Sequence, residues 1–126
     1  SPSYCRELDG RFVIKALRAN EGFKPESAAE YETAAILLDS FDFHVRGGSG
    51  KVFDWSLARR TGELVPKLIL AGGLGPENVA EAVASVQPYA VDACSSLESS
   101  PGRKDIARVR AFIAAIRGES PSQEKN

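Results

Sequence analysis

Four short apolar runs recur along the chain, at residues 12–16, 35–39, 67–71 and 89–93. Each run is rich in branched side chains, and its hydrophobic positions are nearly continuous rather than alternating with polar ones. A strand of a parallel sheet has this pattern when both of its faces are buried, because neither face then meets water. We therefore predict four parallel strands, each buried on both sides.

Helix start and stop signals separate these runs. The clearest helix begins after Asp105, whose carboxylate can cap the first backbone amides, and ends before Gly118, which readily adopts a left-handed conformation. Its apolar residues form a stripe at helical spacing: Ile106, Val109, Ile113 and Ile116. Weaker signals predict four further helices: at residues 1–8, where Ser1 and Pro2 resemble a cap and first turn, at residues 25–32, from Asp54 through Arg59, and from Pro76 through Val86.

The predicted order alternates helix and strand throughout, and the strands recur every 22 to 32 residues. Alternation at this pitch is typical of right-handed βαβ units that share a parallel sheet. We therefore predict one α/β domain at residues 1–117, followed by a frayed polar tail at residues 118–126.

Composition narrows the functional classes. Sixteen basic residues face 17 acidic ones, and the formal net charge of −1 leaves no surplus for a nucleic-acid backbone. No apolar run approaches the ~20 residues that span a bilayer, and no secretory signal is recognisable, so we expect a cytoplasmic protein without membrane contact. Cys5 and Cys94 lie far apart and form no C-x-x-C motif, which favours two reduced thiols.

Polar residues gather at the carboxyl ends of the predicted strands. Asp39 ends the second run, Gly72 and Gly73 follow the third, and Asp92 with residues 94–96 closes the fourth. This edge carries the ligand site in α/β barrels and in open α/β sheets. Asp39 is therefore a candidate general acid in a concave, partly desolvated site, although a helix cap or a loop salt bridge would use the same residue type.

A second glycine-rich segment follows Asp39 and consists of Gly47, Gly48, Ser49 and Gly50. Glycines allow backbone amides to approach a phosphate closely, but they also form simple tight turns. A P-loop is excluded, because Val45 stands where its first glycine is required and Val52 replaces its Ser or Thr. The residues alone thus leave a phosphate ligand and plain turns both open.

Longer stretches resemble a known family, the phosphoribosylanthranilate isomerases. Residues 36–40 (ILLDS) and 47–55 (GGSGKVFDW) are similar to that family's sixth strand and its loop. Residues 68–74 (LILAGGL) with 76–79 (PENV) look like the seventh strand and its helix, and residues 91–102 like the eighth. Residues 12–16 match the fifth strand, so the resemblance runs in order from residue 12 to residue 117.

The resemblance implies half of a (βα)8 TIM-type barrel, with four parallel strands and alternating helices. It also implies an Amadori rearrangement of a phosphorylated ribose–anthranilate substrate in tryptophan biosynthesis, without metal or organic cofactor. Asp39 falls on the family's general acid, which protonates the ring oxygen. Backbone amides at Gly72–Gly73 and Ser95–Ser96 would hold the phosphate, residues 47–51 would fold over the substrate, and Asp92 would line the site.

Two departures from the family pattern affect these expectations. The family has Ser-Ser-Gly where this chain has Cys94, Ser95 and Ser96, so we expect Ser96 to distort a backbone suited to positive φ. The family's general base is a cysteine in a Lys-x-Cys-Gly motif on the first strand, and the chain contains no such motif. Cys5 falls on a predicted helix, and Cys94 follows the wrong strand.

The expected unit is therefore the carboxyl-terminal half of the barrel, inactive by itself. It would be a fragment of a complete enzyme, pair with a missing amino-terminal half, or associate as a homodimer, because four strands cannot close a barrel that needs about eight. The alternative is a non-catalytic half-barrel that binds phosphate or only assembles.

Overall fold

The structure is a computed structural model that describes residues 1–40, 44–47 and 50–119, with only the backbone at 44–47 and 50–53. Its helices are α1 (Pro2–Glu7), α2 (Pro25–Ala28), α3 (Ser56–Leu64), α4 (Val79–Val86) and α5 (Ile106–Arg117), with a 3-10 helix at Ser95–Leu97. Its strands are β1 (Ile14–Arg18), β2 (Ala35–Asp39), β3 (His44–Gly47), β4 (Gly50–Phe53), β5 (Leu68–Ala71), β6 (Ala90–Val91), β7 (Glu98–Ser100) and β8 (Arg103–Lys104).

Four parallel strands form the main sheet, in the order β1-β2-β5-β6. This confirms the predicted α/β class with alternating helices. The second strand of this sheet, β2, has the predicted bounds, and the third, β5, begins one residue later than predicted. The first strand begins and ends two residues later, because its ladder with β2 pairs Ile14 with Ala35 and Arg18 with Asp39. The fourth strand has only two residues, because β6 pairs only with Ile69 and Leu70 of β5.

Local capping chemistry places three of the helix ends. Ser1 Oγ accepts the Tyr4 amide at 3.3 Å and begins α1. Asp105 Oδ1 accepts the Ala107 amide at 3.0 Å and begins α5, which ends at Gly118 with φ of 69°. These predictions are confirmed.

Two helices are shorter than predicted. Helix α2 ends at Ala28 rather than at residue 32, because the chain continues in tighter turns such as that from the Tyr31 amide to the Ala28 carbonyl. Helix α4 begins at Val79 rather than at Pro76, because Asn78 uses its side chain to fold the preceding loop.

The core lies on one face of the sheet. Ile36 and Leu38 of β2 and Leu68 and Leu70 of β5 are buried there in one cluster with residues of α2 to α5. Their sequence neighbours point to the other face, where Leu37 and Ile69 are only partly buried and Ile14 is 47% exposed. The prediction of strands buried on both faces is therefore wrong for this chain, because its core helices pack on a single face.

The apolar stripe predicted for α5 is buried in part, because Val109 and Ile116 pack against the core. Ile106 and Ile113 are exposed, whereas Phe112 and Ala114 are buried. The packing surface of α5 faces α4 and the 3-10 helix, and it includes Phe112 and Ala114 beside half of the stripe.

Two antiparallel hairpins, β3–β4 and β7–β8, are elements that the sequence pattern did not predict. Their strands are short and polar or glycine-rich, so they have none of the apolar continuity of the main sheet. No helix in the described part of the chain is long and apolar enough to cross a membrane.

Candidate functional site

The carboxyl ends of the parallel strands border a cavity of about 300 Å³. It is lined by Arg18 of β1, by Leu37 and Asp39 of β2, and by two loops at residues 71–74 and 92–96. The strands end on the same side because they are parallel, so side chains and loops from distant parts of the chain converge here.

Six residues that were predicted to form the site line this cavity: Asp39, Gly72, Gly73, Asp92, Ser95 and Ser96. Gly47 and Gly50 pair across the end of the β3–β4 hairpin, and Gly48 and Ser49 lie outside the described residues. That this segment folds over a substrate stays a prediction.

Asp39 is the last residue of β2 and is partly buried. Arg18 lies beside it in the register of β1, and Ala71 lies beside it in β5. The Ala19 amide donates to the Asp39 carbonyl at 2.8 Å, so the ladder continues to the rim of the cavity. The sequence pattern did not identify Arg18 as a site residue, because it predicted that the first strand ends at Ala16. A strand predicted to end two residues later would have placed Arg18 at the edge that carries the site.

The loop after β5 is a sharp turn that depends on glycine and on Asn78. Gly72 and Gly73 have φ of 96° and 67°, a region that residues with a side chain rarely adopt. Asn78 Nδ2 donates to the Gly73 carbonyl at 2.9 Å, and its Oδ1 accepts the Gly75 amide at 2.9 Å. The side chain thereby holds the loop in a shape that lets a ligand approach the backbone closely.

The loop after β6 enters the 3-10 helix at Ser95. Among the described residues other than glycine, only Gln87 has a positive φ, so the distortion expected at Ser96 is absent. Ser96 Oγ instead donates to the Leu74 carbonyl and joins the two loops. The backbone amides of Ser95 and Ser96 have no acceptor within the part of the chain that the structure describes, and they lie beside the cavity.

Two cations brace this loop. Lys104 Nζ donates to the Cys94 carbonyl at 3.0 Å and to Glu98 at 3.1 Å, and the Glu98 hydrogen bond raises the pKa of Lys104. Arg108 Nε donates to the Ser96 carbonyl at 2.5 Å, and its terminal nitrogen contacts Glu77 Oε1 at 2.8 Å. The Glu77 amide, and then Arg108, lower the pKa of the Glu77 carboxyl.

The two cysteines lie at opposite ends of the sheet. Cys94 is exposed and lines the cavity, whereas Cys5 is buried on α1 beside a separate cavity at the amino ends of β1 and β2. Across the described residues, no three His, Cys, Asp or Glu side chains are grouped to hold a metal ion. The site thus offers a carboxyl group beside two loops whose amides can bind an anion.

The sequence profile of the family described as PRAI, N-(5'phosphoribosyl)anthranilate (PRA) isomerase, matches residues 4–115. The chain belongs to this family. Curated phosphoribosylanthranilate isomerases agree with the assignment. The protein of Trichlorobacter lovleyi is 45% identical over 113 residues, which cover 90% of this chain and 55% of the relative. That of Pseudomonas fluorescens is 51% identical over 109 residues, which cover 85% and 52%.

Solved structures of the family have the same fold over the matched region. The enzyme of Thermotoga maritima superposes with a TM-score of 0.77 at 40% identity, covering 92% of this chain and 57% of that one. A phosphoribosylanthranilate isomerase in complex with reduced 1-(o-carboxyphenylamino)-1-deoxyribulose 5-phosphate superposes with a TM-score of 0.74 at 36% identity, covering 92% and 54%. The chain spans about half the length of the relatives that it matches.

Proposed function

We propose that this chain forms the carboxyl-terminal half of a (βα)8 barrel that isomerises N-(5'-phosphoribosyl)anthranilate in tryptophan biosynthesis. The observation that carries the proposal is the single cavity that gathers Asp39 and the two loops at residues 71–74 and 92–96. The family's structure with a reduced product analogue supports the same class of ligand.

In the proposed mechanism Asp39 is the general acid. It donates its proton to the ring oxygen of the ribose, the bond from that oxygen to the anomeric carbon breaks, and the nitrogen lone pair forms an iminium ion. A base then removes the proton at the neighbouring carbon, and the resulting enolamine tautomerises to the aminoketose. Proton transfer from a positioned carboxyl contributes typically 10²–10⁴-fold to such a rate.

The phosphate would be held by the amides of Gly72, Gly73, Ser95 and Ser96. Backbone donors suit this task because they are fixed in position before the anion arrives, and they need no counter-charge to be ordered. Asp92 would face the polar part of the substrate, and the β3–β4 hairpin with Gly47, Gly48, Ser49 and Gly50 would cover it.

The base would come from outside this chain. Among the described residues Cys94 is the thiol at the cavity, but it belongs to the loop after β6, next to the proposed phosphate amides, whereas the family's base cysteine lies on the first strand. We therefore expect the chain alone to be inactive, and catalysis to need a complementing half-barrel.

A non-catalytic phosphate-binding module is the second candidate. It is favoured by one observation: both loops proposed to bind phosphate belong to this chain, whereas the family's Lys-x-Cys-Gly base motif does not occur in its sequence. Such a module would bind phosphate without turnover, even when a second half-barrel completes the sheet.

One experiment distinguishes these functions. The amino-terminal half of a relative, such as the Trichlorobacter lovleyi enzyme, is produced separately and mixed with this chain, and isomerase turnover is measured for each half and for the mixture. Turnover in the mixture alone supports the isomerase. A mixed complex that forms and binds inorganic phosphate, yet shows no turnover, supports the non-catalytic module and contradicts the isomerase.

A further inference from the structure

Arg108 contacts the loop at residues 92–96 and the segment that follows the loop at residues 71–74. Its Nε donates to the Ser96 carbonyl at 2.5 Å, and its terminal nitrogen contacts Glu77 Oε1 at 2.8 Å. Glu77 follows the loop at residues 71–74, and its carboxylate lies against Gly75. A Cβ added to Gly75 would lie 2.7 Å from Glu77 Oε2. One guanidinium therefore joins the segment before α4 to the 3-10 helix before β7.

The hydrogen bond from Arg108 to the Ser96 carbonyl also restrains the backbone next to that carbonyl. A trans peptide is planar, so a restrained carbonyl also restrains the amide of the next residue and the direction of the chain on either side. Ser96 is held a second time, because its hydroxyl donates to the Leu74 carbonyl of the opposite loop. The separation of the two loops consequently depends on Arg108 and Ser96 together.

We propose that Arg108 is a positioning residue that sets the spacing of the two phosphate-binding loops without touching the ligand. The inference rests on the proposed function, because it concerns the same cavity. Arg108 is absent from the cavity lining, so its effect passes through Ser96 and Glu77.

Arginine is suited to this position and lysine is not. The guanidinium presents donors in a fixed planar fork, so one side chain can hold the Ser96 carbonyl and the Glu77 carboxylate at the same time. A lysine would keep the positive charge but would offer a single ammonium group, which favours one of these two acceptors. The Arg108→Lys variant therefore separates positioning from charge.

The test uses the whole chain and inorganic phosphate, titrated at constant ionic strength while the amide NMR signals of Gly72, Gly73, Ser95 and Ser96 are followed. Arg108→Gln and Arg108→Lys are compared with Arg110→Gln, which removes the same charge from an exposed position of α5. We expect both Arg108 variants to raise the Kd for phosphate on the order of tenfold, the scale of a lost charge-assisted hydrogen bond. Arg110→Gln should change it less than about twofold.

Three results would overturn the inference. If the wild-type signals do not move with phosphate, the proposed phosphate site itself fails, and the inference fails with it. If the wild-type signals move and the Arg108 variants bind phosphate with the wild-type Kd, the phosphate site is supported and only the proposed role of Arg108 is wrong. If Arg108→Lys restores wild-type affinity, charge alone accounts for the effect.

The Glu77→Gln variant is measured in the same phosphate titration, so that the inference can still be tested if the Arg108 variants do not fold. It leaves Arg108 and the cavity lining intact but weakens one of the two anchors of the guanidinium. We expect a smaller rise in Kd, about threefold, together with a shift of the Ser96 amide signal. An unchanged Kd in Glu77→Gln would contradict the proposed route through the segment before α4.

Discussion

Ser96 and Gly75 share one small volume between the two loops of the cavity. A Cβ added at Gly75 would lie 3.3 Å from Ser96 Cβ, closer than most such contacts. Ser96 has no positive φ, its side chain has room because Gly75 has none, and its hydroxyl donates to the Leu74 carbonyl. A departure from the family pattern is thus accommodated by its neighbour rather than by backbone strain.

This pairing predicts an energetic coupling between the two positions. Gly75→Ala should lower the free energy of unfolding by about 1–3 kcal/mol, the usual cost of overpacking. In a Ser96→Gly background the same change should cost at least about 0.5 kcal/mol less, because the added methyl group then has room. Urea unfolding of the wild type, the two single variants and the double variant measures the coupling. Additive effects would show that the clash with Ser96 does not matter, and that Glu77 is the group that has to move.

Asp39 carries the prediction for catalysis. In a complemented enzyme Asp39→Asn preserves the shape of the side chain but removes the acidic proton, so kcat should fall by roughly 10²-fold or more. Asp9→Asn is the matched control, because Asp9 lies beside the cavity at the other end of the sheet. A near-normal rate for Asp39→Asn, measured in the same complex, would mean that Asp39 has a structural role and that the family's acid is not carried over.

At the scale of elements, the sequence predicted what depends on local chemistry. The caps of α1 and α5 are contacts between residues at most three apart, and the second strand is a continuous apolar run. Features that depend on distant partners were missed: the end of β1 is set by its pairing with β2, and the length of β6 by β5. Arg18 was not predicted as a site residue because it lies at the end of β1, whereas Asp39 was predicted because it ends a continuous apolar run.

The cap of α5 gives a prediction at this scale. Asp105 Oδ1 accepts the Ala107 amide at 3.0 Å and the Arg108 amide at 3.4 Å. Asp105→Ala leaves both amides without the cap and should cost about 1 kcal/mol of unfolding free energy. Asp105→Asn should cost much less, since asparagine caps helices about as well. Thermal and urea unfolding test the pair, and equal losses in the two variants would indicate that the charge matters rather than the cap.

At the scale of the molecule, the buried core of the described residues covers one face of the sheet. Exposed aromatic residues lie at both of its edges, Phe12 before β1 at 73% and Tyr89 before β6 at 68%. The open face carries Ile14 and Asp39, so the surface that needs a cover also bears the proposed acid. Edge strands with unpaired backbone groups favour further pairing, and burial of apolar surface drives it.

These surfaces predict that the chain alone self-associates, and the absence of the family's base motif predicts that it is inactive. A two-fold dimer is the simplest closed arrangement, because four strands from each copy supply the number that a barrel needs. Sedimentation at micromolar concentration should show a species near twice 13.5 kDa, with no isomerase turnover above background. Ile14→Lys places a charge on the open face and should shift the protein to the monomer, whereas Leu64→Lys, at an exposed apolar position of α3, should not.

The two parts of this prediction fail separately. A well-folded wild-type monomer at these concentrations would contradict the association, since the exposed face would then be stable in water. Dissociation by Leu64→Lys but not by Ile14→Lys would place the contact on the helices, away from the proposed acid. Turnover by the chain alone would mean that a base is present after all. Cys94 would be the first residue to replace, because it is the thiol that lines the same cavity as Asp39.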